Sequence, residues 1–389
     1  MTERESPYLV ERMHGFGTTI FAEMSARAVA TGSINLGQGF PDEDGPTEVL
    51  DAAVAAIRDG HNQYPPGIGI PELRHAIAAH QAKWYSLEYD PDTEVLVTAG
   101  ATEAIAASLL ALCEPGSDVV TFEPYYDEYA AGIALAGAHR RVVQLRTPDW
   151  SFDASALERA ITPNTRVLLL NSPHNPTGKV FSIEELELVA RLCVEHDLVA
   201  VTDEVYEHLV FDGRHVPLAT MPGMRERTIT ISSAGKTFSC TGWKIGWICA
   251  PPDLVAAVKT VKQFLTYVNG APFQYAIATG LDLPGSVFRR AAADLEEKRD
   301  RLSAGLAAAG LTVFPSAATY FVTVDIRALG ETDGLAFCRT MPERCGVVAV
   351  PSVVFYDDKD VGGPLVRFAC CKRLDVIDEA VARLKGLRA

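Results

Sequence analysis

Six short apolar runs recur between residues 94 and 250, separated by turn residues and helical patterns. They are EVLVT (94–98), DVVTFE (118–123), RVLLLN (166–171), LVAVTDE (198–204), TITISS (228–233) and KIGWICA (244–250). Several are apolar throughout, which is typical of strands covered on both faces. Helical patterns lie between them, one of which begins with a capping box formed by Ser182 and Glu185. This alternation predicts an α/β layered fold with a largely parallel sheet.

The pattern changes after about residue 285. A long charged amphipathic helix, RRAAADLEEKRDRLSAGLAAAG, is followed by three expected strands, TYFVTVDI, GVVAVPS and LVRFACC. We therefore predict a large domain over 46–285 and a smaller α+β domain over 286–389. The N-terminal segment 1–45 is expected to contribute to the smaller domain.

Composition limits the functional class. A formal net charge of -15 without a basic cluster argues against a nucleic-acid partner. No apolar run reaches the length of about eighteen residues that a membrane span needs, and the charged N-terminus lacks the apolar core of a secretory signal. The eight cysteines have no metal-like spacing. We therefore expect a reduced, cytoplasmic protein with no bound metal and no membrane partner.

Two stretches begin or end like nucleotide-binding loops, but each lacks a required glycine. Gly235-Lys236-Thr237 ends like a P-loop, yet Thr230 stands where that motif has its first glycine. NLGQGFPD (35–42) begins like a dinucleotide fingerprint, yet Asp42 occupies the third glycine position. Both patterns fail, which excludes a nucleotide site of either kind.

Polar residues at the ends of predicted strands mark a candidate site. TDEVYEHL places Asp203 and Tyr206 at one strand end, and NSPHNPTG places Asn175 after another. TAGATEAI opens a helix at Ala101 and Thr102, whose backbone N–H groups would bind an anion. Ligands of open α/β sheets lie beyond the carboxyl ends of the strands. Taken singly, each stretch also fits an ordinary turn or strand–helix connection.

Lys236 stands among small residues in SSAGKTFSCTGWKIGW, three positions after Ser233. A lysine with the ordinary pKa of about 10.4 is a poor nucleophile at neutral pH. Burial and a nearby cation, for which Lys244 is the candidate, would lower that pKa, whereas a surface loop lysine would stay unperturbed. An anion cradle, a carboxylate for a pyridinium nitrogen, two donors for a ring oxygen and an imine-forming lysine together fit pyridoxal phosphate.

Eight stretches, spread over nearly the whole chain and in the order that the family has, resemble the class I aminotransferases of the fold type I pyridoxal-phosphate enzymes. They are NLGQGFPD, NQYPPGIGIPELR, GATEA, EPYYDEY, NSPHNPTG, TDEVYEHL, SSAGKTFSCTGWKIGW and LVRF. The resemblance implies a large domain whose mostly parallel seven-stranded sheet is covered by helices. It also implies ping-pong transfer of an amino group between an L-amino acid and a 2-oxo acid, with 2-oxoglutarate and glutamate as the expected pair.

The same resemblance implies roles for residues around the cofactor ring. Lys236 forms the internal aldimine and later shuttles the α-proton. Asp203 pairs with the pyridinium nitrogen and keeps the ring an electron sink. Asn175 and Tyr206 donate hydrogen bonds to the phenolic oxygen, and Tyr126 stacks on the ring.

Further implied roles concern the phosphate and the substrate. Ser233, Lys244 and the backbone of Ala101 and Thr102 would hold the phosphate, although many relatives place an arginine at position 244. A homodimer is implied, because Tyr64 would reach the phosphate from a partner subunit. Arg367 would bind the substrate α-carboxylate through two N–H groups with Gly39 beside it, and Asn175 is also expected to contact the substrate.

The resemblance divides between two subgroups. EDGP, NQYPPG and TDEVYEHLVFD are similar to actinobacterial N-succinyldiaminopimelate aminotransferases of lysine biosynthesis. GMRERTITISSAGKTFSCTGWKIGW equally resembles the kynurenine, glutamine and methionine group, some of which cleave cysteine conjugates. We expect the first. A carbon–sulfur β-lyase is the enzymatic alternative, and a non-catalytic effector-binding module is the alternative from another class.

Overall fold

The protein is described by a computed structural model over residues 6–17 and 19–388. Its strands there are β1 Ile34–Asn35, β2 Val95–Thr98, β3 Asp118–Glu123, β4 His139–Gln144, β5 Thr165–Asn171, β6 Val199–Asp203, β7 Thr228–Ser233, β8 Gly246–Cys249, β9 Thr312–Val313, β10 Phe321–Asp325, β11 Val347–Val348, β12 Val350–Pro351 and β13 Leu365–Ala369. The α-helices are α1 Ile20–Thr31, α2 Thr47–Arg58, α3 Pro71–Tyr85, α4 Gly100–Leu112, α5 Asp127–Leu135, α6 Ala154–Ala160, α7 Ile183–Glu195, α8 Ala234–Thr237, α9 Pro252–Lys262, α10 Ala271–Leu281, α11 Gly285–Ala308, α12 Gly334–Cys345, α13 Lys359–Gly362 and α14 Leu374–Leu384.

The central sheet has seven strands in the order β2-β8-β7-β6-β5-β3-β4. Neighbouring strands pair in parallel except β8, which runs antiparallel to both β2 and β7. The prediction of a mostly parallel seven-stranded sheet covered by helices is therefore confirmed. Side chains alternate between two cores: Val95 and Val97 pack with α2, α3 and α10, while Leu96 packs with α4, α5 and α9.

The six predicted apolar runs form β2, β3 and β5 to β8, with ends that shift by no more than two residues. The seventh strand, β4, was not predicted. Its sequence, HRRVVQ, begins with exposed and half-buried polar residues because β4 lies at the sheet edge. The capping box of α7 is confirmed, since the Glu185 backbone N–H donates to Ser182 Oγ at 3.2 Å and the Ser182 N–H donates to Glu185 Oε2 at 2.9 Å.

A second sheet has four strands in the order β12-β13-β10-β9, all antiparallel. The run GVVAVPS, predicted as one strand, forms both β11 and β12. In the N-terminal segment, β1 pairs in parallel with β11, so residues 34 and 35 join the C-terminal part of the chain. All eight cysteines are free thiols. Among the described residues, no helix is both long enough and apolar enough to cross a membrane.

Candidate active site

The candidate residues meet at one edge of the central sheet. Asn171 ends β5 and lies in register with Asp203, which ends β6. Ser233 ends β7 and pairs with Gly246, which begins β8. Because β8 is antiparallel, the connection that carries Lys236 and Lys244 both starts and finishes at this edge. The sequence 232–247 thus folds back over the carboxyl ends of the parallel strands, where α/β proteins bind ligands.

A cavity of ≈ 330 Å³ opens there. Its lining includes eleven of the twelve predicted site residues: Gly39, Ala101, Thr102, Tyr126, Asn175, Asp203, Tyr206, Ser233, Lys236, Lys244 and Arg367. The twelfth, Tyr64, lies outside the cavity. Its side chain is 83% exposed, and its ring packs edge-on against Tyr267 at 5.7 Å.

The Lys236 amine lies inside this cavity on the single turn of α8. Its nitrogen is 5.8 Å from the ring centre of Tyr206 and 5.5 Å from that of Tyr320. The pKa of Lys236 is lowered to about 8, mainly by burial; Cys371 and Asp203 oppose the decrease, and the cations Arg367 and Lys244 add to it. The predicted depression is therefore present, but burial dominates it and Arg367 contributes more than Lys244.

Asp203 is buried at the end of β6 and is held by a residue that the sequence did not indicate. The Tyr129 hydroxyl donates to Asp203 Oδ2 at 2.5 Å. Oδ1 receives only a 3.4 Å contact from the Val205 backbone N–H, which leaves it open to a second donor. Burial raises the pKa of Asp203, while the bond from Tyr129 opposes that rise. Tyr129 belongs to EPYYDEY, three residues after Tyr126, and its aromatic ring packs edge-on against Tyr126 at 5.8 Å.

Arg367 lies on β13 with its guanidinium group buried. It donates from Nη1 to Asn175 Oδ1 at 3.2 Å and from Nη2 to the Gly37 carbonyl at 3.0 Å, and the Phe321 ring lies 4.0 Å from its Cζ. Its Nε is buried without a hydrogen-bond partner among the described residues, and burial lowers the Arg367 pKa to about 10. A buried guanidinium with an unused N–H suits a carboxylate ligand. Because Asn175 Oδ1 accepts from Arg367, the Asn175 amide nitrogen is oriented to donate elsewhere.

Gly39 lies where backbone and aromatic rings approach closely. The Tyr320 hydroxyl donates to the Gly39 carbonyl at 2.6 Å, and the Tyr320 ring packs edge-on against Tyr206 at 5.3 Å. A Cβ atom at position 39 would lie 2.7 Å from the Phe321 ring. A side chain there would therefore displace the rings that line the substrate end of the cavity.

The opposite end of the cavity is built from the N-terminus of α4. Gly100 has φ 76°, and a Cβ at Gly246 would lie 2.6 Å from its carbonyl carbon, so the two backbones pack without side chains. The first N–H groups of a helix have no partner within it, so those of Ala101 and Thr102 are available to an anion. Lys244 has φ 55° and its Nζ lies 3.5 Å from Thr102 Oγ1.

This arrangement of donors and acceptors fits pyridoxal phosphate. Helix N–H groups, a serine hydroxyl and the Lys244 amine gather where the phosphate would be held. Asp203 Oδ1 could accept from a ring N–H, and the Asn175 amide nitrogen could donate to a ring oxygen. Between them, Lys236 offers an amine whose low pKa leaves a usable fraction unprotonated at neutral pH.

His80, Glu207 and His208 form a separate cluster that the sequence did not indicate, with donor atoms within 4.8 Å of one another. The Nε2 atoms of His80 and His208 are 2.6 Å apart. Two nitrogen ligands of one tetrahedral zinc would be about 3.3 Å apart, given zinc–nitrogen bonds of about 2.0–2.1 Å. The cluster therefore fits a hydrogen bond between imidazoles, and burial lowers the pKa of both, that of His208 to about 3.

Comparisons with known proteins agree with the geometry. The family model for aminotransferase class I and II matches residues 31–384. The chain is 54% identical to a probable N-succinyldiaminopimelate aminotransferase of Mycobacterium tuberculosis, covering 97% of this chain and 98% of that protein. A solved structure of the N-succinyldiaminopimelate aminotransferase of that organism superposes with a TM-score of 0.95 at 55% identity, covering 97% of this chain and 100% of the other. Kynurenine–oxoglutarate transaminase 3 of Mus musculus is 37% identical, covering 95% of this chain and 88% of that protein.

Proposed function

Because the chain belongs to the class I and II aminotransferases, we propose that it transfers the amino group of N-succinyl-LL-2,6-diaminopimelate to 2-oxoglutarate, a reaction of lysine biosynthesis. The family is pyridoxal-phosphate dependent, so the protein is an aminotransferase that uses this cofactor. The choice of substrate rests on one observation, the much higher identity to the N-succinyldiaminopimelate enzyme than to the kynurenine enzyme. The two match the chain over a similar length, so coverage does not explain the difference.

The proposed chemistry assigns a task to each group in the cavity. Bound pyridoxal phosphate supplies an aldehyde that condenses with amines and a ring that withdraws electrons from the substrate Cα. Asp203 keeps a proton on the ring nitrogen, and Arg367 binds the substrate α-carboxylate. The unprotonated fraction of Lys236 would remove the α-proton from the substrate Cα and deliver it to the cofactor carbon.

The remaining groups orient the cofactor and the substrate. Asn175 and Tyr206 donate to the ring oxygen, and Tyr126 covers one face of the ring. Ser233, Lys244 and the N–H groups of Ala101 and Thr102 hold the phosphate, while Gly39 leaves space beside the α-carboxylate. The Lys236→Ala variant is expected to lose transamination and to leave a colourless or non-covalent cofactor complex. Full turnover by this variant would refute the role of Lys236.

A half-reaction titration tests the substrate. The yellow enzyme is mixed separately with glutamate, N-succinyldiaminopimelate, kynurenine, glutamine and methionine, and the loss of visible absorbance is followed. Fast conversion by glutamate and the succinylated compound alone is the expected result. Fast conversion by aromatic or sulfur amino acids instead would favour the second candidate, an aminotransferase of the kynurenine and methionine type, which the mouse relative supports. Release of pyruvate from cysteine conjugates without a keto acid would reveal β-lyase activity, and failure to form a yellow enzyme would leave only a non-catalytic module.

The proposal also covers the oligomeric state, the domains and the cellular location of the protein. We infer a homodimer in which Tyr64 of the partner subunit completes the phosphate site. Its support is a surface of exposed aromatic side chains outside the cavity, formed by Tyr64, Phe264 and Tyr267. We also propose a large domain over 46–285, a small domain over 286–389 with segment 1–45, and cytoplasmic residence. The pairing of β1 with β11 supports the assignment of the N-terminal segment, and a solution mass measurement tests the dimer.

A further inference from the structure

One carboxyl group in the cavity wall has no partner. Glu128 is the second residue of α5, and its side chain lines the cavity. Both of its carboxyl oxygens are buried, and neither has a hydrogen-bond partner in the described part of the chain. Burying an unpaired charge is among the most unfavourable arrangements in a protein. A buried carboxyl group in this position therefore either stays neutral or meets a ligand that donates to it or accepts from it.

The charges that face Glu128 favour the neutral form. Asp203 approaches from β6, Asp127 precedes it on α5, and Lys244 approaches from the segment before β8. Burial raises the pKa of Glu128 well above its usual range, and the two aspartates raise it further, while Lys244 alone opposes them. The neighbouring phenol of Tyr129 also keeps its proton, because burial and Asp203 raise its pKa. Glu128 therefore has a proton to donate.

Tyr126 completes the surroundings of Glu128. Burial raises the pKa of this phenol as well, and the nearby carboxyl groups of Asp127 and Glu128 act in the same direction. The Tyr126 phenol thus adds no charge at neutral pH. Lys244 is then the one cation among the groups that act on the Glu128 pKa.

The charges of Asp203 and Lys244 both act on the Glu128 carboxyl group, which indicates the part of the cofactor near which it would lie. In pyridoxal phosphate, the carbon that bears the phosphate arm is separated from the ring nitrogen by a single C–H group, and the phenolic oxygen lies on the opposite side. Asp203 is assigned to the ring nitrogen and Lys244 to the phosphate. A carboxyl group within range of both charges would lie near that edge of the ring, where the nitrogen carries a proton and the C–H offers no lone pair. Only the phosphate presents acceptors there.

We propose that Glu128 is a cofactor-binding residue whose neutral carboxyl group donates a hydrogen bond to the phosphate of pyridoxal phosphate. The proposal rests on the proposed function of this cavity as the cofactor site. A bound phosphate carries nearly two negative charges at neutral pH. An ionised Glu128 would repel it, so cofactor binding requires the carboxyl proton. Affinity for the phosphate is therefore full while the carboxyl group is protonated, and it is lost as the pH rises through the pKa of Glu128 in the cofactor-free protein.

Binding of pyridoxamine 5′-phosphate to the cofactor-free protein tests this without turnover. The ligand has no aldehyde, so it cannot condense with Lys236 and the titration of that amine does not drive binding. Dissociation constants are measured by tryptophan fluorescence between about pH 6 and pH 9, a range that brackets shifted carboxyl groups. The wild-type constant is expected to rise with pH, at most about tenfold per pH unit.

Two substitutions distinguish the role of Glu128 as a hydrogen-bond donor from the effect of its charge. Glu128→Gln keeps the shape and an N–H donor but cannot ionise, so its affinity at low pH is retained and the Glu128-dependent rise is lost. Glu128→Met keeps the length without a donor, and it is expected to bind pyridoxamine phosphate about tenfold more weakly at low pH. Thermal unfolding of each cofactor-free variant checks its fold, and binding is compared only below the melting transition.

Unphosphorylated pyridoxamine is the control ligand, because it differs from pyridoxamine 5′-phosphate only in lacking the phosphate. Its weaker binding is expected to be the same in the wild type and in both variants, because it lacks the group that Glu128 contacts. Superimposable pH profiles of the wild type and Glu128→Gln for pyridoxamine phosphate would overturn the proposal, and equal changes for both ligands would refute the phosphate as the partner. A wild-type protein that binds neither ligand at any pH would instead refute the proposed function.

Discussion

Replacement of Tyr129 by phenylalanine removes one hydroxyl group from beneath the cofactor site and little else. That hydroxyl donates to Asp203 Oδ2 at 2.5 Å, and both residues are buried. A hydrogen bond to a charged group contributes about 1.5–3 kcal/mol, and one pKa unit corresponds to about 1.4 kcal/mol. Because the bond favours the ionised carboxylate, its loss is expected to raise the Asp203 pKa by about one to two units. Activity requires ionised Asp203 and is lost as the pH falls through its pKa. The variant should therefore lose activity at a higher pH than the wild type does.

The measurement is the pH dependence of kcat/KM, whose acid limb reports the pKa of the essential ionised group in the free enzyme. Tyr129→Phe should move that limb upward by about one to two pH units, with a smaller effect on the alkaline side. Tyr125→Phe is the matched control, because its hydroxyl donates to Asp357 Oδ1 at 2.6 Å and neither residue lines the cavity. An unshifted acid limb in Tyr129→Phe, or an equal shift in Tyr125→Phe, would refute the argument.

Three further outcomes follow from the same cavity. Asp203→Asn should retain the cofactor but lower kcat by about 10²–10³-fold, because the ring nitrogen loses its charge partner; near-normal kinetics would contradict that role. Arg367→Lys should raise KM for the amino acid by about ten- to a hundredfold with a smaller change in kcat, because a lysine cannot bind a carboxylate through two parallel N–H groups; an unchanged KM would remove Arg367 from the substrate site. The rate at which cofactor-free protein reacts with pyridoxal phosphate should rise with pH and level off above about 8, where the Lys236 amine becomes unprotonated; a rate still rising tenfold per unit well above that pH would show an unperturbed lysine.

Much of the sheet could be predicted because its inner strands are buried on both faces. Such strands are mostly apolar or carry small hydroxyl residues, and the polar residues at their ends lie at the edge of the sheet, as Asp203 and Ser233 do. The edge strand β4 follows a different rule. Water on its outer side permits three polar residues in a row before the two valines, a sequence that is also compatible with a loop, so HRRVVQ carried no clear signal.

The site residues that the sequence missed depend on orientations that spacing does not fix. Tyr129 and Glu128 are adjacent at the start of α5, yet one bonds Asp203 and the other faces the cavity without a partner. Which of the polar residues in EPYYDEY points inward follows from how α5 packs against α4. The contact between Arg367 and Asn175 spans 192 positions and joins the two sheets, so no local pattern predicts it.

Burial of the charged groups in this cavity helps catalysis at Lys236 and hinders it at Asp203. A charge on the cofactor is needed to offset the unfavourable effect at Asp203. A low dielectric penalises every charge, so it lowers the pKa of Lys236 and Arg367 and raises that of Asp203. The first effect helps catalysis, because an unprotonated amine is a better base and nucleophile. The second opposes it, because Asp203 must be ionised to hold a proton on the ring nitrogen. Tyr129 reverses only part of that penalty, since burial still leaves the pKa of Asp203 raised. In the proposed site the positive ring N–H of the cofactor would supply the rest, so that the protein and the cofactor would each stabilise the charged form of the other.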